Sequence, residues 1–205
     1  MSNNYNYQRT RFIKSISHLK YLPTYGIEIA FIGSSNTGKS SILNTITQQK
    51  NLAKTSKTAG RTRFINIFEI KDGIRLVDLP GYGYAKVPKF IQHKWQNIVN
   101  EYLQTRTCLK GLIISMDIRH PLKDMDIKII KWAITMHIPI LILLTKADKL
   151  TYNKQKNQAI VVSNKLKLID NVTNDVQVVN FSSLKRIGVD KLQFKLDEWF
   201  KIHNI

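Results

Sequence analysis

The stretch of sequence that decides the fold is Gly33-Ser34-Ser35-Asn36-Thr37-Gly38-Lys39-Ser40. It matches the pattern G-x-x-x-x-G-K-[ST] and lies between an apolar strand predicted over residues 27–32 and a helix predicted from about Lys39. In such a loop the glycines let backbone amides surround phosphate groups, and the start of the helix adds positive partial charge. Lys39 is expected to contact the β- and γ-phosphates, and the Ser40 hydroxyl is expected to bind Mg²⁺. A glycine-rich turn formed by chance would lack this strand–loop–helix context, so the segment predicts a nucleoside-triphosphate site.

A second motif, Asp78-Leu79-Pro80-Gly81, ends a later strand-like segment. Residues 64–70 and 74–79 read as two strands around Asp72-Gly73, a dipeptide typical of two-residue hairpin turns. A carboxylate at the end of the second strand can reach Mg²⁺ through water, and the Gly81 amide can face the γ-phosphate. Asp78 could instead cap a turn, but its place downstream of a phosphate loop favours the nucleotide role.

The third motif, Thr145-Lys146-Ala147-Asp148, ends the most continuously apolar segment, residues 138–144. A carboxylate there can accept hydrogen bonds from both N1–H and the 2-amino group of guanine, a pair that adenine cannot supply. The Lys146 stem can cover the plane of the base. A polar cap on a strand end is the alternative, and the order of the three motifs favours guanine. After the next predicted strand, further nucleotide contacts are expected from Phe181, Ser182 and Ser183, with the two serines contributing their backbone to the base edge.

Strand-like and helix-like segments alternate along most of the chain. Residues 112–116, 138–144 and 176–181 are predicted strands, and the helices between and after them are predicted over residues 122–136, over residues 153–168 and from about Val189. Another helix is expected to begin near Pro88. This alternation predicts an α/β fold with a mostly parallel central sheet, one antiparallel edge strand from the hairpin, and helices on both faces. Residues 1–25 are predicted to form a leader strand or an arm, and residues 26–202 a single domain.

Length and composition exclude several classes of protein. The chain has 205 residues, of which 43% are apolar, enough for a full hydrophobic core. A single cysteine, Cys108, excludes a disulfide framework and a multi-cysteine metal site. No run of about 20 apolar residues could span a membrane, and the first ten residues lack the apolar core of a signal peptide. A cytoplasmic protein is therefore expected.

The charge is strongly basic. There are 32 Lys and Arg against 14 Asp and Glu, which gives a formal net charge of +18. Such an excess favours a polyanionic partner, either nucleic acid, a ribonucleoprotein particle or an anionic membrane surface. The abundance of Lys, Asn and Ile leaves compositional bias as the alternative. Composition alone does not choose between them.

Six segments carry a resemblance to a known family. The segments are GSSNTGKSSILNTIT, KTSKTAGRTRFINIF, LVDLPGYGYAKVP, MDIRHPLKDMD, LLTKADKL and FSSLKRIGVDKL. Through them the chain resembles, from about Ile27 to Phe200, the bacterial EngB family of ribosome-assembly GTP-binding proteins, within the class of small G proteins. Ala59 departs from the pattern, because the family usually has proline before Gly-Arg-Thr. The resemblance implies a three-layer G domain of the P-loop NTPase type, and nothing is carried over to the arm.

The resemblance also assigns a first switch. Thr62 occupies the position of the family's switch threonine, which binds Mg²⁺ and senses the γ-phosphate; its neighbours Gly60, Arg61, Arg63 and Phe64 are nucleotide-binding candidates. On sequence alone Thr62 would be an ordinary residue at the entry of a strand. The role implied is assembly of the large (50S) ribosomal subunit, with a link to cell division and septation.

Two residues bear on the rate of hydrolysis. Tyr82 follows Gly81 at a position where many GTPases have the glutamine that orients the attacking water, so slow unaided hydrolysis is expected. Tyr82, Gly83, Tyr84 and Lys86 are predicted to form a second switch, a loop that the γ-phosphate orders and that can present flat rings to a partner. Packing inside the protein is the alternative role for one of the two tyrosines. In related GTPases an asparagine at the position of Asn36 binds K⁺, which can replace an arginine finger; the alternative is that Asn36 only supports the turn. The predicted catalytic group is Asn36, Lys39, Thr62 and Gly81.

The leading interpretation is a slow, monomeric GTPase switch that binds GTP or GDP with Mg²⁺ and contacts the 50S subunit or its rRNA. The rival is a regulatory GTPase at the membrane or division site with a protein partner. No lipidation signal or amphipathic anchor supports stable membrane association. A metabolic kinase is disfavoured by Asp148 and by the lack of a domain for an acceptor substrate.

Overall fold

The structure, a computed structural model, describes residues 5–53, 64–83, 89–169 and 176–201. Within them lie seven strands and five α-helices. The strands are β1 (Arg11–Ile16), β2 (Ile27–Gly33), β3 (Ile65–Lys71), β4 (Ile74–Asp78), β5 (Leu109–Asp117), β6 (Ile140–Thr145) and β7 (Val176–Asn180). The helices are α1 (Lys39–Thr47), α2 (Lys89–Thr105), α3 (Asp124–Thr135), α4 (Tyr152–Lys167) and α5 (Val189–Lys201).

All seven strands form one sheet, in the order β1-β3-β4-β2-β5-β6-β7. Neighbouring strands from β4 through β2, β5, β6 and β7 pair in parallel. Strand β3 is antiparallel to β4 and is joined to it by the two-residue turn at Asp72-Gly73, as the sequence predicts. Gly73 has φ of +73°, a conformation in which a side chain would be strained. The predicted α/β class with a mostly parallel sheet is confirmed.

The outer edge of the sheet differs from the prediction. Strand β3 is not the edge, because β1 pairs antiparallel with its outer side in the register Ser15↔Asn66 and Ile16↔Ile65. Part of residues 1–25, expected to be a leader strand or an arm, is therefore a strand of the sheet. The sequence did not place this strand at the sheet edge because five of its six residues are exposed, so it has no alternating apolar face. The start of the G domain at residue 26 remains a prediction.

Two hydrophobic layers cover the two faces of the sheet. Alternate residues of β2 point to opposite layers, with Ala30 and Ile32 in one and Ile29 and Phe31 in the other. Helices α2, α3 and α4 contribute to the first layer, and α1 and α5 contribute to the second. Because β6 is buried along its whole length, it reads as a continuous apolar run in the sequence. The three-layer arrangement is confirmed.

Strand β5 begins three residues earlier than the sequence indicates. Gly111 lies within it, and a Cβ at this position would approach Cε3 of Trp199 to 2.2 Å. The ring of Trp199 on α5 thus packs directly on the backbone of β5, which explains a glycine inside a central strand. Glycine and the polar neighbour Lys110 conceal the start of this strand in the sequence.

The topology sets the place of the functional motifs. Strand β2 lies between β4 and β5, so the chain leaves β2 at the point where the order of the sheet reverses. In open α/β sheets this point, at the carboxyl ends of the strands, forms a ligand-binding crevice. Among the described residues, no helix is long and apolar enough to cross a membrane.

Candidate nucleotide site

The phosphate loop runs from the end of β2 to the start of α1. Asn36 and Gly38 have positive φ values of 64° and 92°, which fold the backbone back on itself. The Thr37 hydroxyl donates to the Ser34 carbonyl at 2.7 Å and lies 2.8 Å from the Ser115 hydroxyl on β5. At Gly33 a Cβ would approach the Ser115 Oγ to 2.0 Å, so only glycine fits against this hydroxyl.

Thr145, in the predicted guanine motif, also binds the phosphate loop. The Thr145 hydroxyl, at the end of β6, donates to the Thr37 carbonyl at 2.7 Å and lies 2.9 Å from the Met116 carbonyl. Thr145 and Ser115 thus fix the loop to two central strands. Sequence reasoning predicted Thr145 as a nucleotide residue and missed Ser115, whose only signal is a small hydroxyl residue within an otherwise apolar strand.

Lys39 and Asp78 form an ion pair at the phosphate end. Their side chains are 11% and 5% exposed, and the Lys39 ammonium donates to Oδ1 of Asp78. The second carboxylate oxygen, Oδ2, accepts a hydrogen bond from the Asn66 Nδ2 at 3.2 Å. The lysine predicted to contact phosphate and the carboxylate predicted to reach the metal are therefore bound to each other.

The backbone after Gly81 packs on the phosphate loop. Tyr82 forms a parallel bridge with Ser34; its carbonyl accepts from the Ser35 amide at 2.6 Å, and its amide donates to the Gly33 carbonyl at 3.3 Å. The Ser35 amide, predicted to face the nucleotide, is thus bonded to the segment expected to move with the γ-phosphate.

The Tyr82 side chain points into the protein. Its hydroxyl donates to Asp126 on α3, and its ring lies 5.2 Å from the Trp95 ring on α2. Burial, followed by the Asp126 carboxylate, raises the pKa of the Tyr82 hydroxyl well above its usual range, so the hydroxyl remains a donor. The packing role considered for one of the two switch tyrosines is therefore confirmed for Tyr82, while Tyr84 lies outside the described residues.

The guanine end of the candidate site contains Lys146 and Asp148. An ion pair holds Lys146 in place, and its backbone has a left-handed conformation. Lys146 has φ of 57°, and its ammonium lies 3.0 Å from Oδ2 of Asp117 at the end of β5. Arg119 also pairs with Asp117, at 2.7 and 2.9 Å. The Arg119 hydrogen bonds hold the pKa of the Asp117 carboxyl well below its usual value, with Lys146 adding to the effect. Asp117 therefore stays ionised and orients the Lys146 stem.

Asp148, the predicted guanine-reading residue, is held by Ser182. The Ser182 hydroxyl donates to Oδ1 of Asp148 at 2.5 Å, and Ser182 is fully buried. The Ala147 amide donates to the Phe181 carbonyl at 3.0 Å, which joins the two loops. Ser182 was predicted to act through its backbone, and the structure shows that its side chain positions the carboxylate.

The structure brings most of the predicted residues to one end of the sheet. Leu79 is buried and continues β4, since its amide donates to the Phe31 carbonyl at 2.9 Å; the Pro80 carbonyl accepts from the Trp95 indole at 2.7 Å. Gly81 lies next to the phosphate loop, because a Cβ there would lie 3.3 Å from the Gly33 carbonyl. Phe64 is exposed. Four predicted residues lie outside the described residues: Gly60, Arg61, Thr62 and Arg63.

Comparison with known proteins shows the family to which the chain belongs. A family model described as "50S ribosome-binding GTPase" matches residues 28–146. The chain is 57% identical over 201 residues to the probable GTP-binding protein EngB of Pectobacterium carotovorum, covering 98% of this chain and 94% of that relative. The chain belongs to the EngB family. It is also 58% identical over 198 residues to the probable GTP-binding protein EngB of Yersinia pestis, covering 96% and 90% of the two chains.

Solved structures share the fold at lower identity. The crystal structure of a probable GTP-binding protein EngB superposes with a TM-score of 0.68 at 20% identity, covering 85% of this chain and 98% of the other. The Era protein, solved with MgGDPNP and nucleotides 1506–1542 of 16S ribosomal RNA, gives 0.64 at 21% identity and covers 86% and 57%. These structures show the shared fold. The family model and the relatives that are more than 50% identical show that this protein is a GTPase of the EngB family, and the site described above is its candidate site for GTP and GDP.

Proposed function

We propose that this protein is a GTP-driven switch in the assembly of the 50S ribosomal subunit, with slow hydrolysis in isolation. The observation that carries the proposal is the arrangement of the phosphate end. Lys39 is paired with Asp78, and the Ser35 amide is paired with Tyr82. GTP would take both Lys39 and the loop amides as its own partners, so binding would separate Lys39 from Asp78 and would separate the Ser35 amide from the segment after Gly81. The motion of this segment is the signal that a partner would read.

The residues present fit Mg²⁺. Asp78 offers a carboxylate and Ser40 a hydroxyl at the first turn of α1, and hard oxygen donors of this kind, few in number and supplemented by phosphate, are what Mg²⁺ prefers. We assign Ser40 and Thr62 as direct ligands and Asp78 as a partner through water. When bound, the ion neutralises charge on the β- and γ-phosphates. When phosphate binds, the Lys39 ammonium would leave Asp78 and contact the phosphate, which frees the Asp78 carboxylate.

The environment of Tyr82 supports slow hydrolysis. Its side chain lies in the core against Asp126 and Trp95, so the position after Gly81 provides no group beside the γ-phosphate to orient water. We expect turnover by the isolated protein to be far slower than by partner-stimulated GTPases. Rapid single-turnover hydrolysis by the pure protein, measured as phosphate release, would contradict this.

Asn36 keeps its two possible roles. Its positive φ supports the turn of the loop, and its side chain is exposed and could bind K⁺ beside the phosphates. Hydrolysis measured in KCl and in NaCl at equal ionic strength distinguishes them. Equal rates leave Asn36 with the structural role alone.

Two surfaces support a ribosomal partner. Helix α4 carries exposed Lys154, Lys156, Lys165 and Lys167 and no Asp or Glu. Residues 5–25 have exposed Arg9, Lys14 and Lys20 and likewise contain no Asp or Glu, while Arg11 pairs with Glu69 of β3. Surfaces with an excess of cations gain affinity for RNA by releasing counterions from phosphate. The family description names the 50S subunit, which is the partner we propose.

Sedimentation with ribosomal subunits tests the proposal. The protein is mixed with 50S and 30S subunits at modest salt, with a non-hydrolysable GTP analogue, with GDP and without nucleotide. We expect GTP-dependent recovery with the 50S fraction that declines steeply with added salt. Absence from the 50S fraction in every nucleotide state contradicts the proposal, and recovery with anionic vesicles instead would favour a membrane-site regulator.

A cytoplasmic monomer is the form we propose for the free protein. Depletion in cells should lead to the accumulation of immature 50S particles. We propose that defects in division and septation follow, so immature particles should be detectable in sucrose gradients before filaments are seen by microscopy. Filaments appearing first would separate the division role from ribosome assembly.

A further inference from the structure

A line of three hydrogen-bonded side chains crosses the sheet from its edge to the phosphate end. The Ser15 hydroxyl on β1 lies 2.6 Å from Oδ1 of Asn66 on β3, and the Asn66 Nδ2 lies 3.2 Å from Oδ2 of Asp78 on β4. The register explains the alignment, because Asn66 is directly opposite both Ser15 and Asp78. Directly opposed residues point to the same face of a sheet, so the three side chains meet.

The donors and acceptors along this line of side chains fit together in one order. An ionised carboxylate can only accept hydrogen bonds, so the amide nitrogen of Asn66 must face Asp78. The amide oxygen then faces β1, where only a donor satisfies it, and the Ser15 hydroxyl is that donor. Asp78 thus fixes which way the Asn66 amide is turned, and Ser15, exposed on the edge strand, donates to the oxygen of the amide turned in this way.

The two partners of Asp78 are expected to respond differently when nucleotide binds. Lys39 holds Oδ1 and is the group that phosphate would remove. Asn66 donates to Oδ2 and belongs to β3, which is paired with a strand on both sides. Its position is therefore expected to stay the same when nucleotide binds. After Lys39 departs, Asn66 is the described side chain that keeps the carboxylate from rotating away.

We propose that Asn66 is a positioning residue for Asp78 and that Ser15 supports Asn66 through a hydrogen bond, so that the edge strand β1 supports the Mg²⁺-dependent part of nucleotide binding. The inference rests on the proposed role of Asp78 at Mg²⁺ and deepens it. The amide holds Oδ2 and leaves Oδ1 directed to the phosphate end, where a metal-bound water can donate to it. Side chains that orient a metal-site carboxylate in this way are commonly worth a large factor in metal affinity.

The Mg²⁺ dependence of GDP affinity tests the inference. A fluorescent GDP is titrated into wild type, Asn66→Ala and Ser15→Ala, each in excess Mg²⁺ and in EDTA, and Mg²⁺ is titrated at fixed GDP. For Asn66→Ala we expect a Mg²⁺ midpoint raised about 10-fold, with GDP affinity in EDTA unchanged. For Ser15→Ala we expect about a 2-fold shift in the same direction, since the amide keeps its bond to the carboxylate.

Gln177→Ala is the matched control, because it removes an amide side chain from β7 at the far edge of the sheet. It should behave as wild type. A purely structural role for Asn66 would lower GDP affinity equally in Mg²⁺ and EDTA, or change neither, and either result overturns the inference. If Asn66→Ala does not fold, the Ser15→Ala midpoint decides, and no shift there rejects the inference. A wild type that is insensitive to Mg²⁺ would instead refute the proposed metal role of Asp78, and this inference with it, but not 50S binding.

Discussion

The phosphate end and the guanine end of the site are organised in opposite ways. At the guanine end, Asp148 is held by Ser182 and Lys146 by Asp117, and none of these pairs has to break when a base arrives. At the phosphate end, Lys39 and the Ser35 amide are bonded to Asp78 and Tyr82, and on the proposed function both bonds break when phosphate binds. We therefore expect the guanine end to bind without rearrangement and the phosphate end to exchange partners.

This difference separates specificity from switching. A pre-organised base pocket does not have to rearrange its own side chains before it selects guanine. An end that exchanges an internal ion pair for phosphate changes the protein's conformation as it binds, because the released groups lose their earlier position. Substitutions at the guanine end should therefore change which nucleotide binds, and substitutions at the phosphate end should change how binding is linked to Mg²⁺ and to the partner.

The largest effect is expected from Asp148→Asn. The amide can no longer accept both guanine N–H groups and presents a donor to them, so GDP affinity should fall about 1,000-fold, as for sites built to hydrogen-bond a ligand. Competition between GDP and the xanthine nucleotide measures it, because the 2-oxo group of xanthine accepts from the new amide. If GDP remains preferred over the xanthine nucleotide, Asp148 does not read the base.

Lys39→Ala should reduce GDP affinity about 100-fold, through the loss of charge-assisted bonds to phosphate. It also leaves the buried Asp78 without its cation, so the nucleotide-free protein should melt at a lower temperature. Isothermal titration and thermal unfolding check the two effects. Lys191→Ala, at an exposed position on α5, is the control because it changes the net charge by the same amount. An equal loss of GDP affinity in both variants would show that the loss comes from the net charge and not from contacts of Lys39.

Ser182→Ala removes the hydroxyl that holds Asp148 but leaves the carboxylate. We expect GDP affinity to fall about 5-fold because one hydrogen bond to a charged group is lost. The same factor should appear in Mg²⁺ and in EDTA, unlike the effect expected from Asn66→Ala. Stopped-flow dissociation of a fluorescent GDP measures it, and a loss confined to Mg²⁺ would show that the two ends are not independent.

The smallest effect is expected from Asp117→Asn, which frees the half-exposed Lys146. A loss of GDP affinity of about 2-fold follows from the low value of partly exposed ion pairs. The lowered pKa of Asp117 means that the pair is fully present above the ordinary aspartate pKa of about 3.9 and is lost only as the pH falls below it. The ratio of wild-type to variant affinity should therefore stay constant between about pH 5 and pH 8. A ratio that changes in this interval would implicate another group.

The sequence was informative where function is carried by consecutive residues. The phosphate loop, the aspartate of Asp78 and the guanine motif each occupy a few neighbouring positions at the end of a strand, so spacing alone located them. The hairpin at Asp72-Gly73 was equally visible because its turn chemistry is local. Pattern failed for β1, whose exposed residues show no alternation, and for Ser115, a serine that becomes meaningful only when Gly33 packs against it.

What the sequence by itself determined is the α/β class and the set of candidate nucleotide-binding residues with their order along the chain, because local patterns encode these. Only the tertiary structure decided which side chains bind one another: Asn66 donates to Asp78, Ser182 donates to Asp148, and Tyr82 donates to Asp126. These pairs lie 12, 34 and 44 residues apart. The physical reason is that strand order and register, rather than neighbouring residues, bring such side chains within hydrogen-bond distance.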